Sequence, residues 1–578
     1  MRQIYVIASF LMWFPVFSQL HIKPYGIQDS FVYVEGGLLF VEQQIDLSVN
    51  PSEVKKASLY LRDEAQLLQG TSSSSNTGNG MLSVFQEGNA SAYTYNYWST
   101  PVEDVSGSSA FGTVLYDPID ELNSKRALIT SELNGASNPL KISNRWIYKF
   151  TGGTYTDWIY AGQNFDLLPG EGFTMKGVEG TNTGVNIYGI ANNPGNKQRY
   201  DFRGKPHNGT ISLAVKTNKN RLVGNPYPSA MDLKKFLEEN PSITGVAYFW
   251  DSSPIASHYL SDYEGGYGVY SPAGGNNGYV PAVFSKFDDS GNQLNTTGEM
   301  GKHIARRFAP VGQGFLVEGK LDGNLIFKNE YRAFEKEHPV TSEFKINGNP
   351  AQEIPMVRFN VEFNKKYIRQ FLLIHHLDAT RETDHAMDAK NISVLESDVG
   401  FLIDNESYLI DVRPFEKDEE IPLFLQVATP SEVVFHKTPA IFPYRVYLLD
   451  LETKRYHDLS ENKLSLWLEP REYHQRFRIT FTNGIEENAS DIIPPSISNS
   501  WIFQNNLLNR LEIIFPEEKT INTVFLFDSL GKKMFETRTF GDQSSYQFST
   551  QNLSNGIYLV KIIAMDGRVI SKKVIISN

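Results

Sequence analysis

Apolar and polar residues alternate along most of this chain. Residues 356–363 read Met-Val-Arg-Phe-Asn-Val-Glu-Phe, and residues 420–427 and 476–481 have a similar pattern. Because successive side chains of a β-strand point to opposite faces of a sheet, this alternation predicts strands with one buried face. Helical spacing is rare, and the best helix candidate is residues 229–239, with Ser229 and Asp232 as caps. The pattern therefore predicts an all-β fold with little helix.

Glycine-containing turns separate the predicted strands. Residues 31–34 and 38–41 flank Glu35-Gly36-Gly37, which predicts a hairpin. Further tight turns are predicted at residues 528–532, 555–556 and 565–568. Short strands with polar turns between them are typical of β-sandwich domains.

The N-terminal half contains an internal repeat. The first copy consists of residues 97–102, 146–148, 168–177 and 185–188, and the second of residues 224–229, 247–250, 309–319 and 325–327. Each copy places a glycine turn before an alternating strand, where glycine permits a sharp chain reversal. The repeat predicts a duplicated β region.

The length of the chain and its composition predict several domains. At 578 residues the chain is too long for one hydrophobic core. A polar segment containing Pro494-Pro495 is typical of a linker. We expect a signal peptide at 1–18, the first repeat copy at 19–215, the second at 216–344, a β-sandwich at 345–482, a linker at 483–500 and an Ig-like C-terminal β-sandwich at 501–578.

The first residues have the three-part layout of a secretory signal peptide. Met1-Arg2-Gln3 is short and basic, residues 4–17 form an apolar run, and Ser18 is a small residue before a cleavage point at Gln19. The run is too short to anchor the mature chain, and no other apolar run of about 18 residues follows. We therefore expect export through Sec and no transmembrane span in the mature chain.

Composition narrows the possible partners and chemistries. The formal net charge of −12 disfavours a nucleic-acid partner, which requires a basic surface. The absence of Cys excludes disulfides, thiolate metal sites and a Cys nucleophile. Aromatic residues make up 13% of the chain, which again favours sheet surfaces.

The C-terminal segment resembles the sorting domain of type IX secretion substrates, which are found in the Bacteroidetes. The matching residues are 524–532, 553–561, 566–567 and 572–576. The Pro-Asn-Pro that often opens such domains is absent, and residues 505–507 stand roughly in its place. The resemblance implies Sec export, passage through the type IX machinery, and a secreted or cell-surface location outside the outer membrane.

Five residues of this segment are candidate sorting determinants. We expect Gly531, Gly556 and Tyr558 to determine turns and strands, with Lys572 and Lys573 near the end that the translocon reads. Each role depends on the resemblance to the type IX sorting domain.

The rest of the chain is similar to large flavobacterial surface proteins of unassigned function. The similarity lies in residues 80–102, 224–250 and 312–318, and in residues 379–388 together with 421–423 further along the chain. Such proteins often have Cys where this chain has Ser99. The similarity implies location and architecture but no reaction.

Three histidines lie close together in the sequence. His375 and His376 are adjacent on a predicted strand and therefore point to opposite faces. With His385, they are expected to pack in the core or lie at the surface rather than share a metal ion.

Two oxygen-rich segments are alternative sites for a structural Ca²⁺ ion. The first contains Asp378, Asp384 and Asp388, and the second is residues 288–292. The spacing of an EF-hand loop is absent from both, and a solvated turn explains the second. We expect no cofactor, with a structural Ca²⁺ as the alternative.

Catalytic and sugar-binding candidates are few. Asp262 and Glu264 are candidate paired carboxylates for glycoside hydrolysis. No Gly-x-Ser-x-Gly, His-Glu-x-x-His or phosphate-binding loop is present. Four tryptophans are candidate platforms for stacking on sugars, with core packing as the alternative: Trp98, Trp146, Trp158 and Trp250.

These observations favour a non-enzymatic secreted or surface protein that acts in adhesion or binds a glycan or protein partner. Surface polysaccharide is therefore a candidate partner, besides the secretion machinery. Two alternatives stay open, namely a secreted polysaccharide hydrolase or lyase and a structural stalk or matrix component. A cleft with two carboxylates about 5–10 Å apart would favour the enzyme.

Overall fold

The all-β fold class predicted from the sequence is confirmed. The computed structural model describes residues 20–52, 56–71, 75–104, 111–162, 166–302, 306–337, 354–438, 442, 444–460, 463–483, 501–506, 509–514, 521–538, 545–564 and 569–577. Strands account for 54% and helices for 6% of the structure.

The N-terminal strands form a parallel coil. They are β1 (Leu20–Ile22), β2 (Val32–Glu35), β3 (Leu38–Val41), β4 (Ile45–Leu47), β5 (Leu59–Arg62), β6 (Gln66–Gln69) and β7 (Leu82–Asn89). Strands β2, β5 and β7 lie side by side in parallel, β3 pairs with β6, and β1 pairs with β4. Each turn of the chain therefore stacks on the turn before it.

The hairpin predicted at residues 35–37 is wrong. Strands β2 and β3 pair with the next turn of the coil rather than with each other. Gly36 adopts φ +61°, a left-handed conformation that favours glycine. A glycine corner of a parallel coil and a hairpin turn have the same local sequence signal, so alternation alone could not separate them.

The remaining strands of the first repeat copy belong to several sheets. They are β8 (Tyr95–Trp98), β9 (Val102–Glu103), β10 (Leu115–Pro118), β11 (Ser124–Arg126), β12 (Leu128–Thr130), β13 (Gly135–Ser137), β14 (Leu140–Ser143), β15 (Tyr148–Gly152), β16 (Trp158–Tyr160), β17 (Phe173–Lys176), β18 (Val178–Glu179), β19 (Asn182–Ile187), β20 (Ile190–Asn193) and β21 (Lys197–Pro206). A one-turn helix α1 (Phe111–Val114) precedes β10. Strand β21 pairs with β7 and β10, and so ties the coil into a seven-stranded sheet.

The second copy contains the helix expected from the sequence. Strand β22 (Ile211–Val215) ends the first copy and pairs with β32 (Gly323–Phe327) of the second. The strands of the second copy are β23 (Asn220–Gly224), β24 (Ala230–Asp232), β25 (Ala247–Ser252), β26 (Glu264–Tyr270), β27 (Tyr279–Val280), β28 (Val283–Phe287), β29 (Gln293–Met300), β30 (Phe308–Ala309), β31 (Gly314–Glu318), β32 and β33 (Arg332–Ala333). Helix α2 (Leu233–Glu238) is shorter than predicted because residues 230–232 form β24. The Asp232 carboxylate caps the helix by accepting the Lys234 N–H bond at 3.0 Å.

The two repeat copies pair in equivalent ways. Within the copies, Trp98 of β8 lies opposite Phe173 of β17, and Val223 of β23 lies opposite Phe315 of β31. The copies also cross, through bridges that join Trp98 to Gln313 and Val223 to Glu171. The repeat in the sequence therefore corresponds to a repeat in strand pairing. Each copy also forms a bridge to a strand of the other copy.

Close backbone approach at each crossing requires glycine. A Cβ atom on Gly314 would lie 2.7 Å from the Tyr97 carbonyl carbon, and one on Gly172 would lie 2.8 Å from the Val223 carbonyl oxygen. These distances are too short for any other residue without a backbone shift. The glycine turns seen in the sequence therefore mark the points where the copies touch.

The middle region, residues 354–483, forms one sheet of twelve strands. The strands are β34 (Met356–Phe363), β35 (Tyr367–His375), β36 (Ala389–Lys390), β37 (Asp398–Ile403), β38 (Glu406–Arg413), β39 (Ile421–Val427), β40 (Ser431–Lys437), β41 (Tyr447–Asp450), β42 (Arg455–Asp458), β43 (Leu464–Leu468), β44 (Arg471–Glu472) and β45 (Phe477–Thr480). Along β34 buried and half-buried residues alternate strictly, as the sequence pattern predicts. Its core is continuous with apolar residues of both repeat copies.

The C-terminal region is a two-sheet sandwich with its own core. Its strands are β46 (Trp501–Asn505), β47 (Arg510–Ile514), β48 (Ile521–Asp528), β49 (Lys533–Thr537), β50 (Ser545–Ser549), β51 (Gly556–Ala564) and β52 (Val569–Ile576). The sheets have the orders β46-β47-β50 and β49-β48-β51-β52. Every residue of the buried cluster between them comes from this region, so its core is separate from that of the rest of the chain.

Candidate functional site

A polar cavity lies where the two repeat copies cross. It has a volume of about 210 Å³, which is enough to hold several water molecules. The first copy contributes residues 86–88 and 95–98, and the second contributes residues 249–250, 306, 310–311, 313–314 and 337. The Trp98–Gln313 bridge brings these segments together.

Three hydrogen-bond donors of the cavity lining have no partner in the described part of the chain. They are the buried Nε1 atoms of Trp98 and Trp250 and the buried Nε atom of Arg306. A buried donor without a partner costs about 1–3 kcal/mol. Such groups are normally satisfied by protein atoms or by ordered water.

Two aromatic faces hold the Arg306 guanidinium group. Its central carbon lies 4.5 Å from the ring centroid of Phe249 and 5.4 Å from that of Tyr279. Cation–π contacts of this kind fix the orientation of the fork of N–H groups.

Two carboxylates of the cavity lining have different environments. Glu87 accepts hydrogen bonds from Lys197 and, at 3.3 Å, from Arg199 Nη2. Glu337 accepts a hydrogen bond from Gln86 Nε2 at 2.6 Å. Burial and the neighbouring carboxylates Glu64 and Glu87 raise the pKa of Glu337. The cavity therefore offers both acceptors and donors to a ligand.

The predicted sugar-stacking tryptophans have separate places in the fold. Trp250 is half-buried, lines the cavity and lies 5.3 Å from the Tyr267 ring. Trp98 is only 4% exposed and packs against Tyr200 and Phe202, so its ring is not available as a stacking face. Trp158 packs on Phe150, with ring centroids 4.7 Å apart. Trp146 is stacked on a histidine away from the cavity lining.

The carboxylates predicted from sequence as a catalytic pair do not line this cavity. The Glu264 carboxylate lies 3.5 Å from Lys286 Nζ, and the Asp262 carboxylate accepts a hydrogen bond from Ser257 Oγ at 2.6 Å. Sequence reasoning missed Glu87, Glu337 and Arg306, because no local pattern distinguishes them from other charged residues.

Family comparison accounts for most of the chain. Residues 19–481 match the family model described as a domain of unknown function, DUF8693. The chain belongs to the DUF8693 family. In this chain the DUF8693 region includes the parallel coil, both repeat copies and the twelve-stranded sheet.

The remainder of the chain matches a sorting module. Residues 504–577 match the secretion system C-terminal sorting domain. The protein is therefore a type IX secretion substrate, as expected from its C-terminal residues, and it is secreted or displayed at the cell surface.

Other comparisons add no function to the DUF8693 region. No curated protein matches the chain. The solved structure of CopC from Methylosinus trichosporium OB3b is 15% identical, covers 14% of this chain and 93% of its own, and has a TM-score of 0.11. The BSP domain of a biofilm associated protein is 7% identical, with coverage of 75% and 88% and a TM-score of 0.14. At these TM-scores neither likeness supports an inference.

Two of the predicted sorting determinants have clear structural roles. Gly531 adopts φ +82° in the turn between β48 and β49 and donates its N–H to the Asp528 carbonyl at 3.0 Å. Tyr558 is buried, and its hydroxyl donates to the Ser554 carbonyl at 2.8 Å. A tyrosine that bonds to the backbone a few residues upstream is typical of Ig-like sandwiches.

The other predicted sorting determinants have less specific surroundings. Gly556 begins β51, and a Cβ atom there would meet only Tyr558 at an ordinary 3.8 Å. On the outermost strand β52, Lys572 is half-buried and Lys573 is exposed. Ser18 and Gln19 lie outside the described residues. The roles of all these residues in sorting and signal cleavage stay predictions.

The three predicted histidines are dispersed. His375 is buried among the rings of Phe415, Phe442 and Phe481, and burial lowers its pKa to about 3. His385 approaches the carbonyl oxygens of residues 238 and 243, at 3.2 and 3.1 Å. Within the ranges that the structure describes, no group of three or more His, Asp or Glu side chains is arranged to hold a metal ion.

The carboxylates proposed for Ca²⁺ have protein partners. Asp388 accepts the Asp384 and Val412 N–H bonds at 2.7 Å each, and Asp378 pairs with Arg510 at 2.8 Å. Asp288 accepts N–H bonds across the hairpin turn between β28 and β29.

Among the described residues, no helix has the length and apolar composition needed to cross a membrane.

Proposed function

We propose that this secreted protein binds carbohydrate in the cavity between its two repeat copies, and that it acts in adhesion rather than catalysis. The observation that supports the proposal most strongly is the set of unpartnered donors on Trp98, Trp250 and Arg306. A sugar ring offers hydroxyl groups that both accept and donate, so it would satisfy these donors and the carboxylates opposite them. The half-buried ring of Trp250 adds an apolar surface beside them.

The size of the cavity limits the ligand. At about 210 Å³ it is smaller than the 300–1,000 Å³ typical of sites for drug-sized ligands. It therefore suits one residue of a longer glycan. The region before the sorting domain is similar to flavobacterial surface proteins. We therefore extend the proposal to a flavobacterium that uses this protein to adhere to glycans.

Glycoside hydrolysis is the second candidate function. It is favoured by the presence of two carboxyl groups, Glu87 and Glu337, in the cavity lining and by the raised pKa of Glu337, since hydrolysis uses a pair of carboxyl groups of which one acts as an acid. Against it, Lys197 and Arg199 engage Glu87 and reduce its ability to act as a nucleophile or base. Measuring the release of new reducing ends from bound polysaccharides separates the two functions.

Replacement of Trp250 by Phe is expected to weaken glycan binding. The variant keeps an aromatic ring but removes the Nε1–H group that has no protein partner. One hydrogen bond contributes about 0.5–1.5 kcal/mol, so affinity should fall about two- to tenfold. A glycan array identifies the ligand, and isothermal titration calorimetry then compares the affinities.

The matched control is Trp467→Phe. Trp467 is 66% exposed on β43 and does not line the cavity, so its replacement should leave affinity unchanged. Equal affinity of the Trp250→Phe and wild-type proteins would contradict binding in the cavity, as would a failure of the wild-type protein to bind any glycan.

A further inference from the structure

Lys176 is a buried cation held by aromatic rings. It is the last residue of β17 and is 3% exposed. Its Nζ atom lies 3.6 Å from the ring centroid of Trp146, 4.6 Å from that of Tyr95 and 5.0 Å from that of Tyr263. No carboxylate of the described residues neutralises it, and its hydrogen-bond partner is the Nδ1 atom of His258, at 3.0 Å.

A buried ammonium group without an anionic partner is unusual. Burial lowers the pKa of Lys176 to about 7, whereas the aromatic faces favour the charged form. Buried charges are normally paired, because removal of a charge from water is costly. An anionic group placed beside Lys176 would stabilise its charged form.

His258 occupies the space above Trp146. The two rings are nearly parallel, at 8°, with centroids 4.8 Å apart, and Tyr93 flanks the imidazole at 4.7 Å. The Nε2 atom of His258 is hydrogen-bonded to Asn134 Oδ1. A flat ring is thus stacked on an indole face while polar groups bind its two edges, which is how a stacked sugar ring would be held.

His258 is part of a loop rather than of a strand. It lies between β25 and β26, and the next residue, Tyr259, is 75% exposed. The imidazole is therefore carried by a surface segment, whereas Lys176 is part of a strand and Trp146 ends a short 3-10 helix between β14 and β15.

We propose that Trp146, Lys176 and Asn134 form a second subsite, which binds a carboxylated sugar ring and which His258 fills in the free protein. The uronic acid ring stacks on Trp146, its carboxylate pairs with Lys176, and a hydroxyl group replaces the bond from His258 to Asn134. The inference rests on the proposed function and specifies its ligand as an acidic glycan.

Tyr95 connects the second subsite to the cavity. It lines the cavity and also faces Lys176. Neighbouring residues of one glycan chain can therefore occupy both positions. The net charge of −12 disfavours non-specific attraction of an acidic glycan, so its binding should depend on Lys176 in particular.

The test compares two probes on the full chain. One is a tetramer of α-1,4-linked galacturonate, and the other is the same tetramer with its carboxylates methyl-esterified. The variants are Lys176→Met, which keeps an apolar side chain of similar length, His258→Ala, and the control Lys219→Met at an exposed position. Calorimetry measures affinity, and thermal unfolding shows that each variant is folded.

Lys176→Met should lose about ten- to a hundredfold in affinity for the galacturonate tetramer, as expected for a bond between charged groups. It should bind the ester as the wild type does, and Lys219→Met should bind both probes as the wild type does. His258→Ala should bind the acidic probe more tightly, because no side chain has to be displaced.

The outcomes distinguish this inference from the proposed function. If Lys176→Met keeps full affinity for the acidic tetramer while Trp250→Phe loses affinity, the second subsite is wrong and the cavity proposal stands. If Lys176→Met loses affinity and Trp250→Phe does not, the second subsite stands and the cavity proposal is wrong. If neither the wild-type protein nor His258→Ala binds the acidic tetramer, the second subsite is wrong.

Discussion

A chain that ends at Phe481 is expected to remain inside the cell envelope, with none reaching the medium or the cell surface. The deleted part contains the whole sorting-domain match, residues 504–577. It also contains every residue of the separate C-terminal core, whereas the other three buried clusters consist of residues 22–481. The truncated chain should therefore fold but lack the signal that the type IX machinery reads. Immunoblots of medium, outer-membrane and periplasmic fractions measure its distribution.

Two controls accompany the truncation. Circular dichroism of the purified truncated chain should show the β-rich spectrum expected for its strands. A reporter protein with residues 1–18 at its N-terminus and residues 484–578 at its C-terminus should be exported. Export of the truncated chain, or retention of the reporter, would contradict the role assigned to the C-terminal domain.

Gly314→Ala is expected to destabilise the DUF8693 region by about 3 kcal/mol, the upper end of the usual cost of overpacking. The added methyl group would lie 2.7 Å from the carbonyl carbon of Tyr97 and 2.8 Å from the amide nitrogen of Trp98. Because both neighbours are backbone atoms paired at the crossing of the copies, the clash cannot be relieved by a side-chain rotation. Denaturant unfolding of the wild-type and variant proteins measures the difference in the free energy of unfolding.

Gly184→Ala is the matched control for this substitution. Gly184 also lies in a strand, β19, and a Cβ atom there would meet nothing within 4 Å. The control should unfold like the wild-type protein. Equal stability of all three proteins would show that the repeat copies do not pack as closely as described.

The sequence predicted strands well where one face of a strand is buried. Strand β34 alternates between buried and half-buried positions along its whole length, so its hydrophobic pattern reflects its surroundings directly. Helix α2 was predicted because a capping residue, Asp232, precedes apolar residues at helical spacing. The prediction of a hairpin turn at Gly36 is wrong because β2 pairs with β5, one turn of the coil further along the chain. The residues next to Gly36 do not show which strand is the partner.

The candidate site was predicted only in part. Trp250 was singled out as a possible platform because tryptophan is rare and large, and it does line the cavity. Two charged residues of the lining, Glu87 and Glu337, are 250 positions apart in the sequence. They come together because residues 335–337 pack against the parallel coil, where the Glu337 N–H group donates to Glu64. This arrangement depends on contacts between segments that are far apart in the sequence. A pattern of neighbouring residues carries no information about such contacts.

Binding in the cavity can be tested at the indole N–H groups of Trp98 and Trp250, which have no partner in the described part of the free protein. The most direct measurement is the nuclear magnetic resonance spectrum of the ¹⁵N-labelled tryptophan indole groups, recorded with and without the glycan that the array identifies. The chain has only seven tryptophans, so each resonance can be assigned by substitution. The Trp98 and Trp250 resonances should shift on binding, whereas that of exposed Trp467 should not. Binding that leaves the Trp98 and Trp250 resonances in place would contradict a site in the cavity.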